Sequence, residues 1–156
     1  MHDADQPDPS GHAGFGLSIL AGAFYFQYVV GLLPCQLCLW QRWPHAAAVG
    51  IGLAALATRW RLWPWLGALA TLVTAGIGLF HVGVEQTWWE GLATCTVDAM
   101  AGVSGDDLLN MDVAVGGPVR CDVVPWAMWG ISMAGWNVIA SLGLTLVWLV
   151  AATRKD

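Results

Sequence analysis

A chain of 156 residues that is 57% hydrophobic and only 11% charged lacks the composition of a soluble domain, where about a quarter of the residues are charged. Its 6 basic and 11 acidic groups are too few to cover a globular surface, so the class is integral membrane protein. The net charge of −5 comes largely from an acidic tail (Asp3, Asp5, Asp8) and one loop (Asp98, Asp106, Asp107, Asp112), and no basic cluster points to nucleic acid.

Residues 1–12 lack the positive start of a signal peptide. The apolar stretch 13–33 runs directly into Cys35 with no cleavage site, so it reads as a retained first span behind a short tail. A loop at 34–42 carries Cys35, Cys38 and Arg42. The second span, 43–57, is the shortest, and Pro44 suits the first turn of a helix. Thr58-Arg59-Trp60-Arg61 is a tight hairpin into the third span, 62–84, with His81 and Glu85 spaced i, i+4 near its far end. A long loop, 85–124, holds Cys95 and Cys121, and its residues 106–115 have the pattern of a short amphipathic helix lying on a membrane. The fourth span is 125–152, where Gly130 and Ala134 form a small-xxx-small pair that permits close helix approach.

A helix needs about 20 apolar residues to cross a bilayer, and without water to satisfy the backbone these segments must be helical. Eleven Trp against two Tyr fit interfacial belts, with Trp88, Trp89 and Trp126 as anchors. Arg59 and Arg61 lie between spans two and three, and Arg154 and Lys155 follow span four. With four spans these places share a side, and basic residues favour the cytoplasm. The expected architecture is therefore all-α: one membrane domain over 1–156, a four-transmembrane-helix antiparallel bundle. Both termini are then cytoplasmic, and the loops at 34–42 and 85–124 are outer (periplasmic) loops.

All four cysteines then fall in the two outer loops, on the oxidising side where disulfides persist. One tight pair and one wide pair in neighbouring loops have the layout of a relay for thiol–disulfide exchange, which proceeds by thiolate attack through a mixed disulfide. Cys38 has two means of lowering its pKa, a nearby helix N-terminus and Arg42 four residues on. A guanidinium at a membrane surface calls for a polar partner; the plainer role for Arg42 is a snorkelling anchor. Cys95 and Cys121 are joined by a linker containing Gly102, Gly105, Gly116, Gly117 and Pro118, which suits a cysteine that must meet a soluble partner. The plainer reading there is a static disulfide, worth about 3–4 kcal/mol. A four-thiolate zinc site is disfavoured by the wide second pair and by the oxidising side, so no metal is expected. The chain has no dinucleotide fingerprint, haem attachment or iron–sulfur run, which leaves a membrane quinone, ubiquinone or menaquinone, as the electron acceptor. Its ring belongs near Cys38 and Arg42, with His81 and Glu85 available to its carbonyl oxygens or protons; each of these two also suits a capping role.

Pro34-Cys35-Gln36-Leu37-Cys38 with Gln41-Arg42 resembles the signature of the DsbB family of disulfide bond formation proteins. Ala93-Thr94-Cys95 resembles the setting of that family's third cysteine. Cys121 with Val124-Pro125-Trp126 and Gly130 to Asn137 resembles its fourth cysteine and last helix. The match runs from about residue 15 to 150. It implies a four-helix bundle that reoxidises the soluble thiol oxidase DsbA and reduces a quinone. By the resemblance, Cys95 takes the mixed disulfide with DsbA, and Cys121 is its resting partner. Cys35 and Cys38 are the quinone-proximal pair, and Cys38 forms the charge-transfer pair or adduct, stabilised by Arg42. At the family's quinone-side histidine this chain reads His81-Val-Gly-Val-Glu85-Gln86, so His81 or Glu85 takes that place. Two other readings compete. Vitamin K epoxide reductase-like proteins use the same elements with the two cysteine pairs in the opposite order, and a non-catalytic membrane protein would hold two inert structural disulfides.

Overall fold

The computed structural model describes residues 9–58, 60–92 and 119–153; Cys95, the segment 106–115, the acidic tail, Arg59, Arg154 and Lys155 lie outside the described residues. Four long helices form the described part: α1 (Pro9–Tyr28), α2 (Gln36–Ala57), α3 (Trp63–Glu85) and α4 (Met133–Thr153). Two of them, α3 and α4, are long and apolar enough to cross a membrane. The 22-residue α2 carries Gln36, Gln41, Arg42 and His45 on otherwise apolar sequence.

The helix ends have local causes. α1 stops at Tyr28, ahead of Gly31, whose φ of +82° leaves the helical region. α2 starts two turns before Trp43, because Cys35 caps it: its backbone is extended and its Sγ accepts the Cys38 N–H at 3.3 Å. Pro44 therefore lies inside α2 and not in its first turn, and it deprives the Trp40 carbonyl of its usual helical donor. α3 opens with Pro64 in its first turn, where the missing N–H has no cost. Before α4 the chain makes a two-strand hairpin, β1 (Ala127–Met128) paired antiparallel with β2 (Ile131–Ser132). The two turn residues, Trp129 and Gly130, have φ of 54° and 78°, both positive as a type I′ turn requires.

Gly130 is thus a turn residue, and close helix approach falls elsewhere. A Cβ on Gly67 would sit 2.5 Å from the Trp148 ring, and one on Gly78 would sit 2.9 Å from Val138 Cγ2. α3 is the central element, packed on α4 and α2, while α1 lies mainly on α2.

Polarity is inverted relative to a soluble bundle. Leu66, Leu69, Leu72 and Val73 of α3 and Leu142, Leu146, Val147 and Val150 of α4 face outward, whereas Gln41, His45, Thr71, Thr74, His81, Ser141 and Thr145 are buried between the helices. Lipid rewards this arrangement, since apolar side chains lose nothing by facing it and polar ones find partners inside. Apolar clusters close the two ends: Cys35, Leu37, Val84 and Cys121 at one, Ala68, Leu144 and Trp148 at the other.

Candidate functional site

The cysteine end of the bundle is assembled by three segments. Cys35 precedes α2 and Cys38 lies in its first turn, ahead of the apolar part of that helix. His81 and Glu85 come from the last turns of α3, and Cys121 comes from the segment before the hairpin. Cys35 and Cys121 are buried in one cluster, and the half-buried Cys38 packs against it. The Cys35 and Cys38 sulfurs are 2.9 Å apart, with the Cys35 thiol donating.

That donation splits the two thiols. The hydrogen bond from Cys35 holds the Cys38 thiol below its ordinary value, and Arg42 adds to the effect against the opposing influence of burial. The same bond, with burial, pushes Cys35 well above the thiol range. The bond thus favours the thiolate on Cys38, the form of a thiol that attacks.

The polar partner that Arg42 requires is Gln27 of α1, whose Oε1 accepts from the guanidinium at 2.5 Å. A second donor reaches the Ala23 carbonyl at 3.5 Å, and the guanidinium carbon sits 5.1 Å from the Phe24 ring centroid. Phe26 of α1 also meets Trp126 across the bundle at 5.1 Å. Trp88 and Trp89 are exposed as anchors would be, although the Trp89 indole also donates to the Phe80 carbonyl at 2.9 Å.

His81 is buried against the cysteines. Its Nε2 is 3.2 Å from the Cys121 carbonyl oxygen, 3.6 Å from Cys35 Sγ and 3.8 Å from Glu85 Oε1. Glu85 accepts from Ser132 of β2, which links α3 to the hairpin. The donor atoms of Cys35, Cys38 and His81 lie within 4.8 Å of one another, and among the described residues they are the group spaced to hold a metal ion. An open pocket of about 380 Å³ lies beside the site, lined by Val84, Thr87, Trp88, Trp89, Glu90 and Asp122; neither Cys38 nor Arg42 lines it.

The sequence singled out Cys35, Cys38, Cys121, Arg42, His81 and Glu85, and all six lie at this end of the bundle. Cys95 is outside the described residues. Gln27, His45 and Thr74 were not singled out, and Gln41 and Asn137 entered only within the family resemblance, yet these five form the polar contacts behind the cysteines. Their signal was present: Gln41 and His45, and Asn137, Ser141 and Thr145, recur every four residues within apolar stretches, which puts each set on one helix face.

A helical bundle that buries two cysteines of different segments beside a third has the layout of a membrane thiol–disulfide oxidoreductase. The comparisons with known proteins agree. The family model described as "Disulfide bond formation protein DsbB" matches residues 12–151. Curated proteins called disulfide bond formation protein B are similar along most of their length. The one from Verminephrobacter eiseniae is 34% identical over 145 residues, covering 86% of this chain and 80% of the relative. That of Hahella chejuensis is 30% identical, covering 88% and 87%, and that of Paracidovorax citrulli 31% identical, covering 88% and 81%. No solved structure matches the chain. The chain belongs to the DsbB family of membrane disulfide bond formation proteins, thiol oxidases that make disulfides.

Proposed function

We propose that this protein is a thiol:quinone oxidoreductase of the bacterial inner membrane, a single domain crossing it four times with cytoplasmic termini. It reoxidises a DsbA-like periplasmic dithiol and delivers the electrons to ubiquinone or menaquinone. The observation that carries this reading is the packing of Cys121 with Cys35 beside an activated Cys38. Exchange requires sulfur to meet sulfur, and this arrangement lets the wide pair hand electrons to the tight one.

The partner's dithiol attacks Cys95, exchange through Cys121 opens the Cys35–Cys38 disulfide, and Cys38 leaves as the thiolate. A bound quinone supplies a two-electron, two-proton acceptor. The residues suit such a ring: Cys38 is less buried than Cys35 and Cys121, Arg42 offers a cation, and Phe24 forms an aromatic wall beside it.

The test mixes purified protein in detergent with a reduced DsbA-type partner and a short-chain ubiquinone or a menaquinone analogue, following quinone absorbance and partner thiols together. Both are consumed catalytically by the wild type. Cys38→Ser abolishes quinone reduction while Cys95 still traps the partner; normal turnover by that variant refutes the mechanism.

A further inference from the structure

Two backbone carbonyls fix the direction of a hydrogen-bond chain that runs between the helices into the cysteine pair. Gln41 Nε2 lies 3.1 Å from the Leu37 carbonyl oxygen. That oxygen only accepts, so the NH₂ end of the amide faces it, and the second N–H points at His81 Nδ1, 3.0 Å away. Gln41 Oε1 then accepts from Asn137 Nδ2 at 2.7 Å. Asn137 is oriented separately: Thr74 gives its hydroxyl hydrogen to the Gln41 carbonyl at 3.1 Å and so accepts from Asn137 Nδ2 at 3.3 Å. Asn137 Oδ1 is left to accept from His45 Nε2 at 2.8 Å.

His81 Nδ1 therefore receives a hydrogen bond, and the ring proton sits on Nε2. The neighbours of Nε2 require the same tautomer independently, because the Cys121 carbonyl, the Cys35 sulfur and the Glu85 carboxylate are all acceptors. Every bond in the chain points toward Cys35, so its members polarise one another in one sense. At the far end the buried Nδ1 of His45 has no hydrogen-bond partner among the described residues.

We propose that His81 is a catalytic residue, held as its Nε2–H tautomer by Gln41 and Asn137, which stabilises the Cys35 sulfur whenever that sulfur leaves a disulfide. This deepens the thiol-oxidase reading and rests on it. In the step concerned, the opening of the Cys35–Cys38 disulfide has left Cys35 bonded to Cys121, and the Cys95 thiolate attacks Cys121 Sγ. A new S–S bond forms as the old one breaks, and the electron pair leaves on Cys35 Sγ. One disulfide replaces another, so no outside oxidant is needed. The Nε2–H, shared at rest with a neutral carbonyl, turns to the anionic sulfur, a stronger acceptor. Gln41 and Asn137 are positioning residues, since amides offer fixed donors and acceptors and hold the tautomer without conducting a proton. The same tautomer withholds from the sulfurs the lone pair that a metal would need.

The test uses full-length protein in lipid nanodiscs with ¹⁵N-labelled histidine. The His81 signal, identified by its loss in His81→Gln, shows a protonated Nε2 in the wild type. Gln41→Glu, which keeps the shape but places a carboxylate oxygen at Nδ1, moves the proton to Nδ1. In the reduced Cys38→Ser background, His81→Gln and Gln41→Glu each slow Cys35 alkylation by iodoacetamide at pH 7 about tenfold, the scale of one charge-assisted hydrogen bond, and Asn137→Leu, which leaves the Leu37 carbonyl to orient Gln41, slows it less. A wild-type His81 protonated on Nδ1, or equal alkylation rates in all variants, overturns the proposal. Neither readout involves quinone or a partner protein, so failure of the wild type to reduce quinone would refute the oxidase reading separately.

Discussion

Replacing Asn137 by Leu removes polar atoms of nearly the same volume from the point where α2, α3 and α4 share hydrogen bonds. Nδ2 gives up Gln41 Oε1 at 2.7 Å and Thr74 Oγ1 at 3.3 Å, and Oδ1 gives up His45 Nε2 at 2.8 Å and Ser141 Oγ at 3.4 Å. These losses are unequal. Thr74 keeps its bond to the Gln41 carbonyl, and the His45 N–H falls back on Ser141 Oγ, 3.4 Å away. Gln41 Oε1 has no such fallback, and an orphaned buried acceptor costs about 1–3 kcal/mol. With the weakened His45 contact the total comes to about 2 kcal/mol, near the upper end for interhelical bonds in membranes. Gln41→Leu orphans the opposite side of the same bond. The double variant removes both partners, so it should cost about 1 kcal/mol less than the sum of the singles. Reversible unfolding in mixed detergent–SDS micelles, followed by tryptophan fluorescence, measures all three. A cost below about 0.5 kcal/mol for Asn137→Leu, or strict additivity in the cycle, would mean that this bond network does not hold the bundle together.

Gly67→Ala drives a methyl into the Trp148 ring, 2.5 Å away, and should cost about 1–3 kcal/mol by overpacking. Gly76→Ala meets nothing within 4 Å and should gain up to about 1 kcal/mol of helix stability; the same unfolding assay would expose a reversed order. Arg42→Met removes the Gln27 and Ala23 bonds and the Phe24 contact. It should slow iodoacetamide labelling of Cys38 at pH 7 and raise the quinone concentration needed for half-maximal turnover, and no change in either would exclude an electrostatic role. Arg120 donates to both Asp122 oxygens, at 3.0 and 2.6 Å, and holds that carboxyl below the usual carboxylate range. A depressed folded value means the pair stabilises above about pH 4 and is lost as the pH falls through it. Arg120→Gln should therefore raise the Asp122 midpoint in an NMR titration, and an unmoved midpoint would refute the pairing.

By itself, the sequence determined the class, the helices and the thiol chemistry. Seventeen charged groups on a chain this apolar leave few alternatives to lipid, and helices follow because lipid offers the backbone no partner. The Cys-x-x-Cys spacing and Arg42 depend on local geometry, since four residues make one helical turn. Cys35, Cys38 and Arg42 were therefore legible before any fold was known. What tertiary structure decided depends on contacts between distant segments. The start of α2 shifted to Gln36 because a cysteine side chain caps it. Gly130 went to a turn, and close helix packing went to Gly67 and Gly78. The placing of His81 against Cys35 and Cys121, and its tautomer, depend on Gln41 and Asn137, 96 residues apart in the chain. Periodicity marked those polar residues as sharing faces. Which atoms donate and which accept was set only when three helices brought fixed carbonyls and amides together away from water, where an unpaired group is costly.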